Sequence, residues 1–252
     1  MHSCDSLPAR PHRAASGCML ALAAALLAPA APTQAAITLN ATRIVYPGDA
    51  HSVALTLANP AAQPYAVQVW VNTGDDDQTS TVPFMPTPPL FRLNPGKEQR
   101  IQINRLPNDL PTDRETAFYF NAQEIPQVEQ SASNRLNIAV RTRIKLFYRP
   151  AELKDNPLEK AKDLRWALER EGPHHYLSVN NPTPFHYSFS GVELRSNGHT
   201  QLMSTLPMAA PFATQRYPLD AAPGADASVR FAIITDFGTN APVTTVALPA
   251  SH

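Results

Sequence analysis

Residues 134–150, NRLNIAVRTRIKLFYRP, set Arg141, Arg143 and Lys145 among large apolar side chains. Cations so placed could bind a negatively charged group, and a strand that merely closed a core would not need them. Read singly, each is most simply a solvated surface charge, and the pattern alone suggests no more than an edge strand. Carboxylates gather at Gly74-Asp75-Asp76-Asp77 without the spacing of a calcium loop, so this stretch reads as a solvated hairpin tip. His174-His175 are spaced too closely for a zinc site and have no ligand partners nearby in sequence. The chain has no G-x-S-x-G elbow, and its two cysteines are Cys4 and Cys18, so a hydrolase reading has no support. The residue types favour binding over catalysis.

The elements that must position these residues read as strands. Val53, Leu55 and Leu57 alternate with polar neighbours, and Val67, Val69 and Val71 follow a Pro-bearing turn. Ile101 and Ile103 come after NPGKEQ, and beyond Pro150 the habit resumes at Leu177 and Val179, then Phe185, Tyr187 and Phe189, then Val229, Phe231 and Ile233. Short alternating runs at roughly ten-residue spacing with Pro, Asn and Gly between them predict antiparallel sandwiches. LANPAAQPYAVQVWV, around Asn59-Pro60, has a loose echo in VNNPTPFHYSFSGVEL, around Asn181-Pro182, so two sandwiches fit better than one. The expected domains are 36–150 and 155–252, and Trp70 and Trp166 read as core residues of the two. LEKAKDLRWALERE, 158–171, is ambiguous. Its helix formers place Leu158, Ala161, Leu164 and Leu168 near helical spacing, whereas Leu164, Trp166 and Leu168 also alternate, so two sandwiches favour a strand from about Leu164.

Residues 1–35 read as a secretory signal peptide. Arg10 and Arg13 precede the apolar run Met19–Ala31, and Thr33 and Ala35 suit cleavage before Ala36. That run is too short to span a bilayer, which takes about 20 residues, so the chain is not expected to be membrane-embedded. Both cysteines leave with the signal, and about 217 residues remain without a disulfide. The full chain has 21 Lys and Arg against 21 Asp and Glu; subtracting Arg10, Arg13 and Asp5 leaves 19 against 20, a net charge near −1. Nothing in this suggests a nucleic-acid partner, which calls for a clustered basic surface.

Several motifs, in order along nearly the whole remaining chain, resemble the PapD-like periplasmic chaperones of pilus assembly. They are ITLNATRIVYPGD, PFMPTPPLFRLNPGKEQRIQI, LPTDRETAFYFNAQEIP, IAVRTRIKLFYRP, NNPTPF and ITDFG. The resemblance implies an all-β fold of two immunoglobulin-like β-sandwich domains in an L, with an interdomain cleft. It implies binding of pilin (fimbrial) subunits and their delivery to an outer-membrane usher in the periplasm, without ATP, cofactor, metal or small-molecule substrate, and without enzymatic activity.

Site residues follow from the same resemblance. Leu136, Ile138 and Val140 match the strand that the family lends to a subunit whose own sandwich lacks one. Arg43, in TRIVYPGD, and Lys145, in RIKLFYRP, match the pair that holds the subunit's C-terminal carboxylate. Glu115, Arg149 and Asp236, in DRET, FYRP and TDFG, match an ionic link between the two domains. Arg141 and Arg143 have no such assignment and are expected to lie solvated on the polar side of the strand or to steer the subunit. A secreted two-domain immunoglobulin-like adhesin or surface structural subunit is the alternative, with its own sheet sequestering 136–140. A carbohydrate-binding or hydrolytic sandwich would need surface aromatics or a carboxylate pair in one pocket, and the sequence offers neither.

Overall fold

A computed structural model describes residues 37–77, 80–125 and 139–249. Two separate apolar cores are present, each enclosed between two sheets. The first sandwich comprises β1 (Thr38–Leu39), β2 (Arg43–Pro47), β3 (Ser52–Ala58), β4 (Tyr65–Asn72), β5 (Phe84–Thr87), β6 (Leu90–Leu93), β7 (Glu98–Arg105), β8 (Thr116–Ile125) and β9 (Arg141–Arg149). One sheet runs β1-β3-β7-β5 and the other β2-β9-β8-β4-β6. The period-two pattern explains the layers, because successive side chains of a strand point to opposite faces. Leu55 and Leu57 of β3 face Val67, Val69 and Val71 of β4 across a core completed by Ile101, Ile103, Phe120 and Leu146.

A one-turn helix, α1 (Pro157–Lys160), follows, with Pro157 at its first position and the Asn156 side chain accepting from the Leu158 N–H. A 3-10 turn, Ala161–Asp163, leads into the second sandwich. Its strands are β10 (Arg165–Glu171), β11 (His174–Asn181), β12 (Phe189–Ser196), β13 (His199–Leu202), β14 (Ala213–Leu219), β15 (Ser228–Ile233) and β16 (Thr244–Ala247), in sheets β10-β11-β14 and β13-β12-β15-β16. Segment 158–171 is therefore helix for one turn and strand from Arg165. Local propensity loses here because the strand pairs along its whole length, from Arg165↔Asn180 to Glu171↔His174. The ladder also buries Trp166 among Phe189, Tyr217 and Phe231, at ring separations of 5.5, 6.3 and 5.0 Å. Propensity is a weak prior that tertiary packing overrides.

The two Asn-Pro corners do the same job. The Asn59 side chain donates to the carbonyls of Gln63 and Leu93 and accepts from Ala61 N–H. Asn181 donates to those of Phe185, Ala209 and Ala210 and accepts from Thr183 N–H. Each buried amide ties together backbone groups around its corner.

Among the described residues, one pairing departs from the antiparallel rule and positions the site. β2 runs parallel to β9, in a register that sets Arg43 opposite Lys145 and Pro47 opposite Arg149. β8 covers the other side of β9 from Arg141 to Tyr148. Among the described residues, Arg141–Ile144 thus pair on one side only, and the edge of β9 is open where β2 stops.

Candidate functional site

On β9, Ile144, Leu146 and Tyr148 enter the first core. The alternate residues Arg141, Arg143, Lys145, Phe147 and Arg149 must then project from the opposite face. The strand is apolar on one side and bears four cations around one aromatic ring on the other. That outer face meets the second sandwich: Phe147 is buried and its ring lies 5.6 Å from that of His186.

Arg43 and Lys145, about a hundred residues apart in sequence, are direct neighbours through the parallel register. The Lys145 Nζ lies 3.0 Å from Ser188 Oγ, and Arg43 Nη1 donates to the Ile234 carbonyl at 3.1 Å. The Arg43 guanidinium sits 5.9 Å from the centre of the Phe147 ring, and its Nε has no hydrogen-bond partner among the described residues. Among the described residues no carboxylate comes within 4 Å of either cation. Burial holds the Lys145 ammonium below its ordinary value, and the neighbouring Arg43 charge pushes it further the same way. Burial likewise lowers Arg43, with Asp236 acting in the opposite direction. Two half-desolvated like charges are thus held side by side.

Arg149 is in the opposite condition. Its Nε donates to Glu115 Oε1 at 2.7 Å, and Nη1 and Nη2 grip Asp236 at 2.7 and 3.0 Å. Glu115 is only 3% exposed, and its second oxygen accepts from the His186 N–H at 2.8 Å. Burial pulls the Arg149 guanidinium down, but its hydrogen bonds and the charges of Asp236 and Glu115 outweigh it, and the net shift is upward. Glu115 belongs to the first sandwich, and His186 and Asp236 to the second. Arg149 grips both oxygens of Asp236, and that carboxylate acts on Arg43 only at a distance.

Two glycines are required by close approach. Gly48 N–H donates to the Arg149 carbonyl at 2.7 Å, and a side chain there would collide with Pro150 and Ala151. Gly238 adopts φ +78° and lies against Thr42, whose hydroxyl would occupy the place of a Cβ. The Asp236-Phe237-Gly238 turn is thereby seated beside Arg43. A cleft of about 220 Å³ opens there, lined by Arg43, Phe147, Arg149, His186, Asp236 and Phe237 among others.

The remaining cations differ from expectation. Arg141 is not simply solvated: it pairs with Asp76 at 2.5 Å and lies 5.8 Å from the centre of the Trp70 ring. Arg143 donates to the carbonyls of Thr73 and Gly74 and stacks on Tyr119 at 3.8 Å. The Gly74–Asp77 stretch, read as a solvated tip, is thus a clasp across the sheet, with Asp76 also accepting from Asn72. Trp70 is a second correction. Val69 and Val71 point into the core, so Trp70 between them lies on the outer face of the sheet, half-buried under Arg141.

Leu136 and Ile138 lie outside the described residues. Val140 is 42% exposed, and its carbonyl accepts from Glu124 N–H at 2.9 Å. Ser188, Phe147 and His186 were not singled out in sequence. A usable signal was present in FHYSF: with Phe185, Tyr187 and Phe189 facing the second core, His186 and Ser188 fall on the other side. Among the described residues no helix is long and apolar enough to cross a membrane, and no three His, Cys, Asp or Glu side chains are grouped to hold a metal ion.

Two immunoglobulin-like sandwiches with a cationic strand between them define a class of two-domain sandwich proteins, and comparison with known proteins specifies it. Residues 36–154 match the family described as "Pili and flagellar-assembly chaperone, PapD N-terminal domain", and residues 159–245 match "Pili assembly chaperone PapD, C-terminal domain". The chain belongs to the PapD-type pilus-assembly chaperone family. It is 38% identical over 212 residues to the probable fimbrial chaperone YadV of Escherichia coli K12, covering 80% of this chain and 86% of that one. To the chaperone protein FimB/FhaD of Bordetella pertussis it is 35% identical over 232 residues, 88% and 93% of the two chains. Among solved structures, the YadV crystal structure superposes with a TM-score of 0.74 at 36% identity, covering 85% of this chain and all of that one. The SafB chaperone of Salmonella enterica, solved in complex with the SafA pilin, gives a TM-score of 0.73 at 32% identity, over 86% and 99%.

Proposed function

We propose that this chain is a periplasmic, non-enzymatic chaperone that captures pilin-type subunits by strand donation and hands them to an outer-membrane usher. In this reading residues 1–35 direct export and are removed between Ala35 and Ala36, leaving the domains 36–150 and 155–252. Arg43 and Lys145 hold the subunit's C-terminal carboxylate. Leu136, Ile138 and Val140 are lent to its incomplete sandwich, and the Glu115–Arg149–Asp236 link fixes the second domain against the first.

The observation that carries the reading is the cation pair, which among the described residues has no carboxylate within 4 Å and stands where the free edge of β9 begins. A client strand laid along that edge would complete the backbone ladder, and its end would meet the pair. Two cations on one anion in a partly dehydrated cleft make charge-assisted hydrogen bonds. Fixing the client's end also fixes register, since a slip of one residue would turn every side chain to the wrong face. Three donated apolar side chains contribute roughly 1.5–3 kcal/mol each as transfer free energy, before the costs of association. An open subunit edge left uncovered is an aggregation hazard, which is the physical reason for a chaperone of this form.

Co-expression with the pilin-like subunit encoded nearest the gene tests the reading. The subunit should co-purify from the periplasm, and Ile138→Asp should weaken its capture with little change in the melting temperature of the free protein. A large fall in that melting temperature would place Ile138 in this protein's own core and contradict donation.

A further inference from the structure

The turn that leaves β15 carries Phe237, which the proposed mechanism does not use. At 92% exposure it is the most exposed of the large apolar residues described. A single apolar side chain in water is ordinary, but two features set this one apart. The first is that the backbone beneath it is fixed. Ile234 and Asn240 form an antiparallel bridge, Thr235 N–H donates to the Thr239 carbonyl at 2.8 Å, and Gly238 N–H donates to that of Thr235 at 2.9 Å. The Thr235 and Thr239 hydroxyls hydrogen-bond to each other at 2.9 Å, Arg149 holds Asp236, and Gly238 rests on Thr42. The residues on both flanks of Phe237 are thus tied down, and they hold its ring out at the surface.

The second feature is its place beside the cation pair. Arg43 Nη1 donates to the Ile234 carbonyl at the base of the same turn, and Phe237 and Arg43 are the chain neighbours of Gly238 and Thr42, which touch. Phe237, Leu158 of α1 and Arg43 line one cleft, and Leu158 is itself 47% exposed. The cleft therefore sets two exposed apolar side chains beside a guanidinium whose Nε has no hydrogen-bond partner among the described residues. That combination suits a carboxylate joined to an apolar group, as in a chain terminus whose last residue is apolar. In a terminal residue the carboxylate and the side chain leave the same Cα, so a carboxylate held by Arg43 brings its own side chain to the rim. We propose that Phe237 is a specificity-determining contact, which packs on an apolar side chain at the client's last residue while the cations hold its carboxylate. The inference rests on the anchoring role given above to Arg43 and Lys145. It adds a criterion which that role lacks, since every protein chain ends in a carboxylate and the cations alone do not tell one terminus from another.

Calorimetry with synthetic peptides tests it. Each peptide spans the last strand of the pilin-like subunit encoded nearest the gene and ends, as the free acid, in Leu, Phe or Ser; the Leu peptide is also made as the C-terminal amide. The wild-type protein should bind the Leu and Phe acids about ten- to a hundredfold more tightly than the Ser acid, the effect of burying one such side chain. Phe237→Ser should bind the three acids within about threefold of one another and melt within about 2 °C of the wild type. Phe237→Tyr should restore the preference. Equal binding of the three acids by the wild-type protein overturns the inference, and so does a preference that survives in Phe237→Ser. A large fall in the melting temperature of Phe237→Ser also overturns it, because the ring would then support the fold. Equal binding of the Leu acid and its amide by the wild-type protein overturns the carboxylate anchor, and the inference with it, an outcome distinct from a missing side-chain preference.

Discussion

Replacing both Arg43 and Lys145 by Ala should abolish subunit capture and leave the chaperone folded. Removing one partner of a buried charge pair typically costs about 2–5 kcal/mol in binding. At about 1.4 kcal/mol per tenfold, even one substitution weakens the complex by roughly thirty- to several-thousand-fold. Folding should suffer little, because the two cations repel each other and, among the described residues, have no carboxylate within 4 Å. Their losses are the single bonds to Ser188 and Ile234, the Arg43–Phe147 ring contact and a distant attraction to Asp236. The sign of the pH effect follows from Lys145, which burial and Arg43 hold below the ordinary value of 10.5. Between that lowered value and 10.5 the folded protein binds fewer protons than the unfolded chain, so this group's contribution to stability rises with pH. Anion binding needs the proton and falls through the same window. Full capture by the double variant, read by co-purification at wild-type yield, would refute the anchoring role.

Arg149→Ala should have the largest effect on folding. It strips the cation from Glu115, which is almost fully buried, and from the half-exposed Asp236. Breaking a buried pair by removing one side costs about 3–5 kcal/mol. For a chain of this size each kcal/mol corresponds to about 2–4 °C, giving an expected loss of roughly 6–20 °C in melting temperature. Most of that loss belongs to Glu115, since an exposed pair is worth about 0–1 kcal/mol. Glu115→Gln in the Arg149→Ala background should therefore recover much of the stability, because the amide keeps an acceptor for His186 N–H and no charge is stranded. A melting temperature within 2 °C or so of wild type for Arg149→Ala would show that the link is solvated and structurally idle.

The sandwiches were legible because their signal is local. Val67, Val69 and Val71 alternate within one strand, and the two Asn-Pro corners repeat one device at a distance of over a hundred residues. The same alternation, followed strictly, places Trp70 outside, and reading it as core gave residue size more weight than parity. Segment 158–171 was ambiguous because its helix propensity is local, whereas the pairing with β11 and the rings of Phe189, Tyr217 and Phe231 that decide for strand are not. Arg141 and Arg143 could not be read for a similar reason. Their partners at Asp76, Thr73 and Gly74 lie on another strand's exit, and cross-strand neighbours are set by register rather than by sequence proximity. Arg43 and Lys145 were legible only through the motifs that contain them; residue type alone gave two ordinary surface cations. Nothing in the sequence pointed to Ser188 as the hydroxyl beside Lys145, beyond its being out of phase with the aromatic residues around it.

The central claim, that Arg43 and Lys145 hold the client's terminal carboxylate, is tested most directly by calorimetry with a synthetic peptide. The peptide should span the last strand of the partner pilin subunit, prepared once as the free acid and once as the C-terminal amide. Amidation should weaken binding to the wild-type chaperone about as much as the Arg43→Ala/Lys145→Ala substitution does, and should have no further effect on that double variant. Equal affinity of acid and amide for the wild-type protein would contradict it.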